Sequence, residues 1–137
     1  MRICVDTNII ISALLFPTGK TAEVFSHIIE NHNLIICTYA INECKTVFNK
    51  KFPEKQQYLE KFLSELDFEL FTTPDIINQE IYPAIRDPLD LPILVSAILS
   101  DSDILITGDK DFEDIKIDKP LIFTPSRYFD LLNNKGT

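Results

Sequence analysis

A three-layer α/β/α sandwich on a mostly parallel sheet of about five strands is predicted by three features of this 137-residue sequence. Short apolar runs recur, each bounded by polar or turn residues, as parallel strands require when both faces of their sheet are covered. Helical patterns alternate with these runs, which is the signature of βαβ units. No linker, repeat or low-complexity tract divides the chain, and its length suits a single core.

The elements follow in order. Ile3–Asp6 is the first strand, and Asp6 or Asn8 offers an N-cap to the helix behind it. Pro17-Thr18-Gly19 separates that helix from a second, Ala22–Glu30, which carries Val24, Phe25, Ile28 and Ile29 on one face. A second strand, Leu34–Cys37, leads into a helix over Tyr39–Lys50 with Ile41, Cys44, Val47 and Phe48 together. Tyr58–Leu66 repeats the pattern with Leu59, Phe62 and Leu63, and Phe68–Phe71 is a weaker strand. Leu89–Leu99 is apolar almost all round and should be a helix packed deep in the domain. Ile104–Thr107 and Leu121–Phe123 are the remaining strands, and Pro125-Ser126 opens the last helix. The domain is expected over residues 1–132, followed by a polar tail at 133–137.

Composition narrows the class. No apolar run reaches the roughly 18–20 residues of a membrane span, and the chain enters its first strand too early to leave room for a signal peptide. Cys4, Cys37 and Cys44 form no C-x-x-C pair and read as reduced, buried thiols of a cytoplasmic protein. His27 and His32 read as surface residues. The net charge of −8 argues against a broad basic face for nucleic acid. Either the chain binds no nucleic acid, or its acids hold cations that then face phosphates.

The positions of the acids bear on that choice. In parallel α/β sheets ligands bind beyond the carboxyl ends of the strands, where strand order reverses. Asp6 closes the first strand, Asp109 follows the fourth, Asp90 opens the buried helix, and Glu43 lies on the helix after the second strand. Taken singly, each has a plain structural role. Asp6 and Asp90 can be helix caps, Asp109 and Asp111 a turn, and Glu43 a solvated helix residue. Together they converge on one end of the sheet. Two carboxylates about 4 Å apart repel by about 4 kcal/mol at an effective dielectric near 20, so several must hold protons at raised pKa or share a divalent cation. Oxygen-only ligation suits Mg²⁺ or Mn²⁺ rather than Zn²⁺.

The blocks Val5-Asp6-Thr7-Asn8, Glu43, Asp87-Pro88-Leu89-Asp90 with Ile93 and Ala97, and Thr107-Gly108-Asp109-Lys110-Asp111-Phe112 resemble the PIN domain. Within that family they are most similar to the VapC-like toxins of toxin–antitoxin pairs. The resemblance runs from Arg2 to about Leu132 and implies a metal-dependent ribonuclease that hydrolyses phosphodiester bonds. It implies Asp6, Glu43, Asp90 and Asp109 as catalytic metal ligands and Asp111 as a further acid. Asn8 would shape the loop, Thr107 would offer its hydroxyl, and Asp87 would support the site. It also implies an antitoxin partner and a homodimer.

Arg86 and Lys110, beside these acids, are the candidate contacts to RNA, against a reading in which Arg86 only pairs with a nearby carboxylate. Phe16, Phe25, Phe48, Phe52 and Phe62 either fill the core or line an antitoxin groove. Two other classes compete: a PIN-like module that binds RNA or protein without cutting, and a doubly wound phosphatase or receiver domain with Asp6 as phosphoacceptor. The second lacks its acid two residues on, where Asn8 stands. A housekeeping RNA-processing nuclease would share every site feature with a toxin.

Overall fold

The computed structural model describes the backbone of residues 1–135 and the side chains of residues 1–132. Five strands, β1 (Arg2–Val5), β2 (Asn33–Cys37), β3 (Glu69–Phe71), β4 (Ile104–Ile106) and β5 (Leu121–Phe123), form one sheet in the order β3-β2-β1-β4-β5. Every neighbouring pair is parallel. Cys4 stands opposite Ile35 on one side and Leu105 on the other, and the register continues outward to Glu69 and Ile122.

The helices are α1 (Thr7–Leu15), α2 (Lys20–Asn31), α3 (Thr38–Lys51), α4 (Gln56–Glu65), α5 (Leu91–Leu99) and α6 (Pro125–Lys135). Side chains along a strand alternate between the two faces of a sheet. Ile3, Cys4 and Val5 are all fully buried, as are Ile35–Cys37 and Leu105–Ile106. Both faces of the central strands are therefore covered, and the three layers expected from the sequence are present. The edges are thinner: Leu70 of β3 and Leu121 of β5 are about half exposed, at 53% and 51%. All three cysteines are free and buried.

Strand order reverses between β1 and β4, so the first strand runs outward to β2 and β3 while the chain later returns to β4 and β5 on the other side. The amide of Asp6 donates to the Ile106 carbonyl at 3.0 Å and that of Thr107 to the Phe123 carbonyl at 3.0 Å. The first bond spans the mouth of the reversal between β1 and β4, and the second ties the end of β4 to β5. On the way into β4, α5 closes with Asp101 in the left-handed region, φ 58°. The Ser102 amide there donates to the Ala97 carbonyl and the Asp101 amide to that of Ile98, a tight αL stop that turns the chain back to the sheet.

Several boundaries differ from expectation. Asp6 and Thr107 lie one residue beyond their strands; their amides still bond to the neighbouring strands while their side chains cap and bond at the site. The helix expected from Leu89 begins with a single 3₁₀ turn over Pro88–Asp90, because Pro88 and Pro92 remove two amides from its start. His27 and His32 are half-buried rather than surface residues: His27 Nδ1 lies 2.9 Å from the Tyr128 hydroxyl and its ring packs against that of His32. Phe25 and Phe48 are core, Phe52 and Phe62 pack against it, and Phe16 alone of that set is largely exposed. Of the tail expected over 133–137, the backbone of α6 extends to Lys135, and 136–137 lie outside the described residues. No single helix among the described residues is long and apolar enough to cross a membrane.

Candidate metal centre

Asp6 is the fixed point of the site. It sits one residue past β1 at the N-cap of α1 with extended backbone, and Oδ1 accepts from the Thr7 amide at 2.7 Å. Its second oxygen accepts from the Thr107 hydroxyl, also at 2.7 Å. The same hydroxyl accepts from the Asp109 amide at 3.1 Å. Thr107 thus ties the carboxylate after β1 to the loop after β4. Asp6 is 4% exposed, and burial pushes its carboxyl up; the Thr107 and Thr7 bonds oppose that push, while the Glu43 and Asp109 charges add to it.

Replacing Thr107 by Val keeps the shape and removes the donor. That leaves a buried carboxylate oxygen unpaired, which costs about 1–3 kcal/mol. Urea denaturation of metal-free Thr107→Val should show the loss as a lower midpoint with an unchanged slope.

Glu43 reaches the site from α3. Its Oε1 accepts from the Thr7 hydroxyl at 2.7 Å, so Thr7 links the first strand's end to the helix after the second. Asp109 opens the loop beyond β4, where its Oδ1 accepts from the Asp111 amide at 2.9 Å. This small turn places Asp111 on the same side as Asp109.

Asp90 behaves differently. It stands where a helix cap would, yet its side chain caps nothing; Asp87 does that work instead, accepting from the Leu89 amide at 3.0 Å. Asp90 Oδ2 is buried without a hydrogen-bond partner. Burial first, then the charge of Asp109 and close approach to Asp111 and Asp109, push the Asp90 carboxyl up to about 8. One carboxylate oxygen each from Asp87, Asp90 and Asp111 lie within 4.8 Å of one another. Around octahedral Mg²⁺, with bonds of about 2.0–2.1 Å, ligands on one face lie about 2.9 Å apart and only opposed ones about 4.2 Å, so the three carboxylates must draw together to share one ion.

The six acids thus form one connected group. Asp6 feels Glu43 and Asp109, and Asp90 feels Asp109, Asp111 and Asp6. Inside it, Asp87, Asp90 and Asp111 form the tight triad, while Asp6 and Glu43 are held alongside by threonine hydroxyls. A hard divalent cation fits these residues: the donors are all oxygen, and the buried Asp90 oxygen lacks any other partner.

Asp87, expected only to support the site, therefore stands within ligand distance of Asp90. Asn8 is exposed, and its side chain makes no hydrogen bond among the described residues; the loop it was expected to shape is fixed by Asp6 and Thr107. Arg86 pairs with Asp114 on the surface. Lys110 is exposed beside the acids without an ion pair among the described residues. Two contributors went unseen in the sequence: the Thr7 hydroxyl, and Tyr39, whose hydroxyl donates to the Leu89 carbonyl at 2.8 Å and so anchors the Asp87–Asp90 turn. Burial and the charges of Glu43, Asp90 and Asp87 raise the Tyr39 phenol. Its place at the start of α3 looked like any first-turn residue.

The family model described as "PIN domain" matches residues 2–111 of the chain. No curated protein gives a significant match. Among solved structures, VapBC2 from Rickettsia felis, bound to a DNA fragment from their promoter, is similar with a TM-score of 0.64 and 21% identity. The alignment covers 90% of this chain and 97% of that one. A domain of a functionally unknown protein from Methanocaldococcus jannaschii DSM 2661 aligns over 80% of this chain and 79% of its own, with a TM-score of 0.49 and 21% identity. The structural likeness speaks to the fold, and the match over most of the sequence settles the family: the chain belongs to the PIN domain family.

Proposed function

We propose that this chain is a divalent-metal-dependent ribonuclease acting as the toxin of a type II toxin–antitoxin pair. One observation carries the catalytic part: a buried, partnerless Asp90 oxygen facing Asp87, Asp109 and Asp111. Such a group is tolerable as an anion only beside a cation. PIN domains are generally nucleases, which fits that requirement. Asp87, Asp90 and Asp111 would hold the ion, with Asp6, Glu43 and Asp109 as the flanking acids. When bound, Mg²⁺ or Mn²⁺ supplies an activated water and offsets charge on the phosphoryl and leaving oxygens. Asp6, fixed by Thr107 and Thr7, would orient an attacking water, and Glu43, held by the Thr7 hydroxyl, would accept that water's proton. With the ion in place the acidic pocket offers a phosphate the cation itself, which fits a net charge of −8 to a nucleic-acid substrate.

The toxin reading rests on the resemblance to VapC-like proteins and on the VapBC2 fold neighbour. Next to Asp90 in the chain, Leu89 is 70% exposed and offers apolar surface for an antitoxin segment. A homodimer and a cytoplasmic location, the latter consistent with three free cysteines, complete the proposal.

A labelled single-stranded RNA and the matching DNA test it directly. RNA should be cut with Mn²⁺, spared with EDTA, and cut again once Mn²⁺ is returned in excess. Binding without cutting at saturating Mn²⁺ would instead favour the non-catalytic module.

A further inference from the structure

A second feature lies beside the acids. A cleft of about 280 Å³ runs from Thr107 and Asp109 along β5 to the first turn of α6, close in size to the roughly 300 Å³ at which small-ligand sites begin. Phe112 and Phe123 form its buried floor, half-exposed Ile115 and Ile117 its side, and Arg127 its far end. The Arg127 guanidinium lies 4.9 Å from the Phe123 ring centroid, and its backbone amide donates a hydrogen bond to the Thr124 hydroxyl.

Its charge is unspent. Of the three arginines, Arg2 pairs with Glu69 and Arg86 with Asp114, whereas Arg127 has no ion pair among the described residues. An exposed cation stacked on an aromatic ring, at the end of an apolar trough that opens onto a phosphodiester-handling site, has the chemistry of a single-strand subsite. Flat bases pack on the apolar side and the guanidinium takes a phosphate. Glu113, also on the rim, repels phosphate, which leaves the Arg127 end as the place for the backbone and the trough for the base.

We propose that this cleft holds a nucleotide flanking the cut, with Arg127 as the positioning residue for its phosphate. The inference rests on the nuclease reading and adds a direction to it: the strand leaves the acids along β5 rather than past Arg86. Arg127→Ala and Arg127→Lys should be compared with the wild-type chain for Mn²⁺-dependent cleavage of single-stranded RNA at several salt concentrations. Arg127→Ala should raise KM about 10-fold with kcat changed less than about twofold, as loss of one charged hydrogen-bonding contact implies. Its slope of log(kcat/KM) against log salt should shrink by about 0.7, one phosphate fewer. Arg127→Lys should restore the slope, and both variants should keep the wild-type thermal shift with Mn²⁺. An unchanged KM and slope in Arg127→Ala, with the wild type cutting normally, overturns this subsite alone and turns the cleft toward a protein segment. A wild-type chain that cuts no RNA overturns both proposals.

Discussion

Asp6→Asn and Asp90→Asn are each expected to lower metal-dependent RNA cleavage by about 10²–10³-fold, the size of effect seen when one electrostatic group is removed from a preorganised site. The fold should survive both. Asparagine caps helices as well as aspartate, so Asn at position 6 can still accept from the Thr7 amide, and the Thr107 hydroxyl can turn to accept from the new amide group. At position 90 the change removes the charge from a group whose buried Oδ2 makes no hydrogen bond. The two losses should not add: residues acting on one ion fail as a unit, so the double variant should resemble the poorer single one. Initial rates at matched Mn²⁺, alongside circular dichroism melts, check this. Cleavage that persists in both variants would remove these residues from the mechanism.

The second large effect is on stability. Mn²⁺ at about 100 times its Kd should stabilise the wild type by about 2.7 kcal/mol, or roughly 8–14 °C in Tm for a domain of this size. Its pH dependence follows from Asp90. The folded carboxyl titrates at about 8, above the ordinary 3.8, so folding takes up a proton between those values. This group's contribution is fully favourable below about pH 4 and is lost as pH rises through 8. Asp6, also raised, acts in the same direction.

Metal-free protein should therefore weaken from pH 6 to pH 8, and the Mn²⁺-induced shift should grow over the same interval as the ion displaces the proton. Asp90→Asn should flatten both trends. In metal-free buffer at pH 8 it should be more stable than the wild type by about 1–2 kcal/mol, once solvent screening at the rim of the group is allowed for. Thermal melts across pH, with and without Mn²⁺, read all three effects. A wild-type Tm indifferent to millimolar Mn²⁺ at pH 8 would count against the ion.

The sheet was legible because its inner strands are covered on both faces, so they appear as unbroken apolar runs such as Ile35-Ile36-Cys37. β3 was harder to see: an edge strand with Glu69 and Leu70 exposed carries little pattern. The segment from Thr72 to Asp87 showed none, and it consists of turns and irregular chain with one 3₁₀ turn at Gln79–Ile81.

At the site, chain position relative to strand ends was enough to bring Asp6, Glu43, Asp90 and Asp109 to one end of the sheet. It did not rank them. The closeness of Asp87 to Asp90 depends on a proline-led 3₁₀ turn, whose three-residue repeat sets the two carboxylates on one side. The parts of Thr7 and Tyr39 depend on hydroxyl hydrogen bonds across 36 and 50 residues of sequence, which no local pattern encodes.

Diffraction from crystals grown with Mn²⁺, collected for its anomalous signal, bears most directly on the whole account. The acids predict a peak within coordination distance of the otherwise unpartnered Asp90 oxygen, shared with Asp87 or Asp111 and bordered by Asp6. A map without density there at saturating Mn²⁺, with Asp90 swung out to solvent, would contradict it.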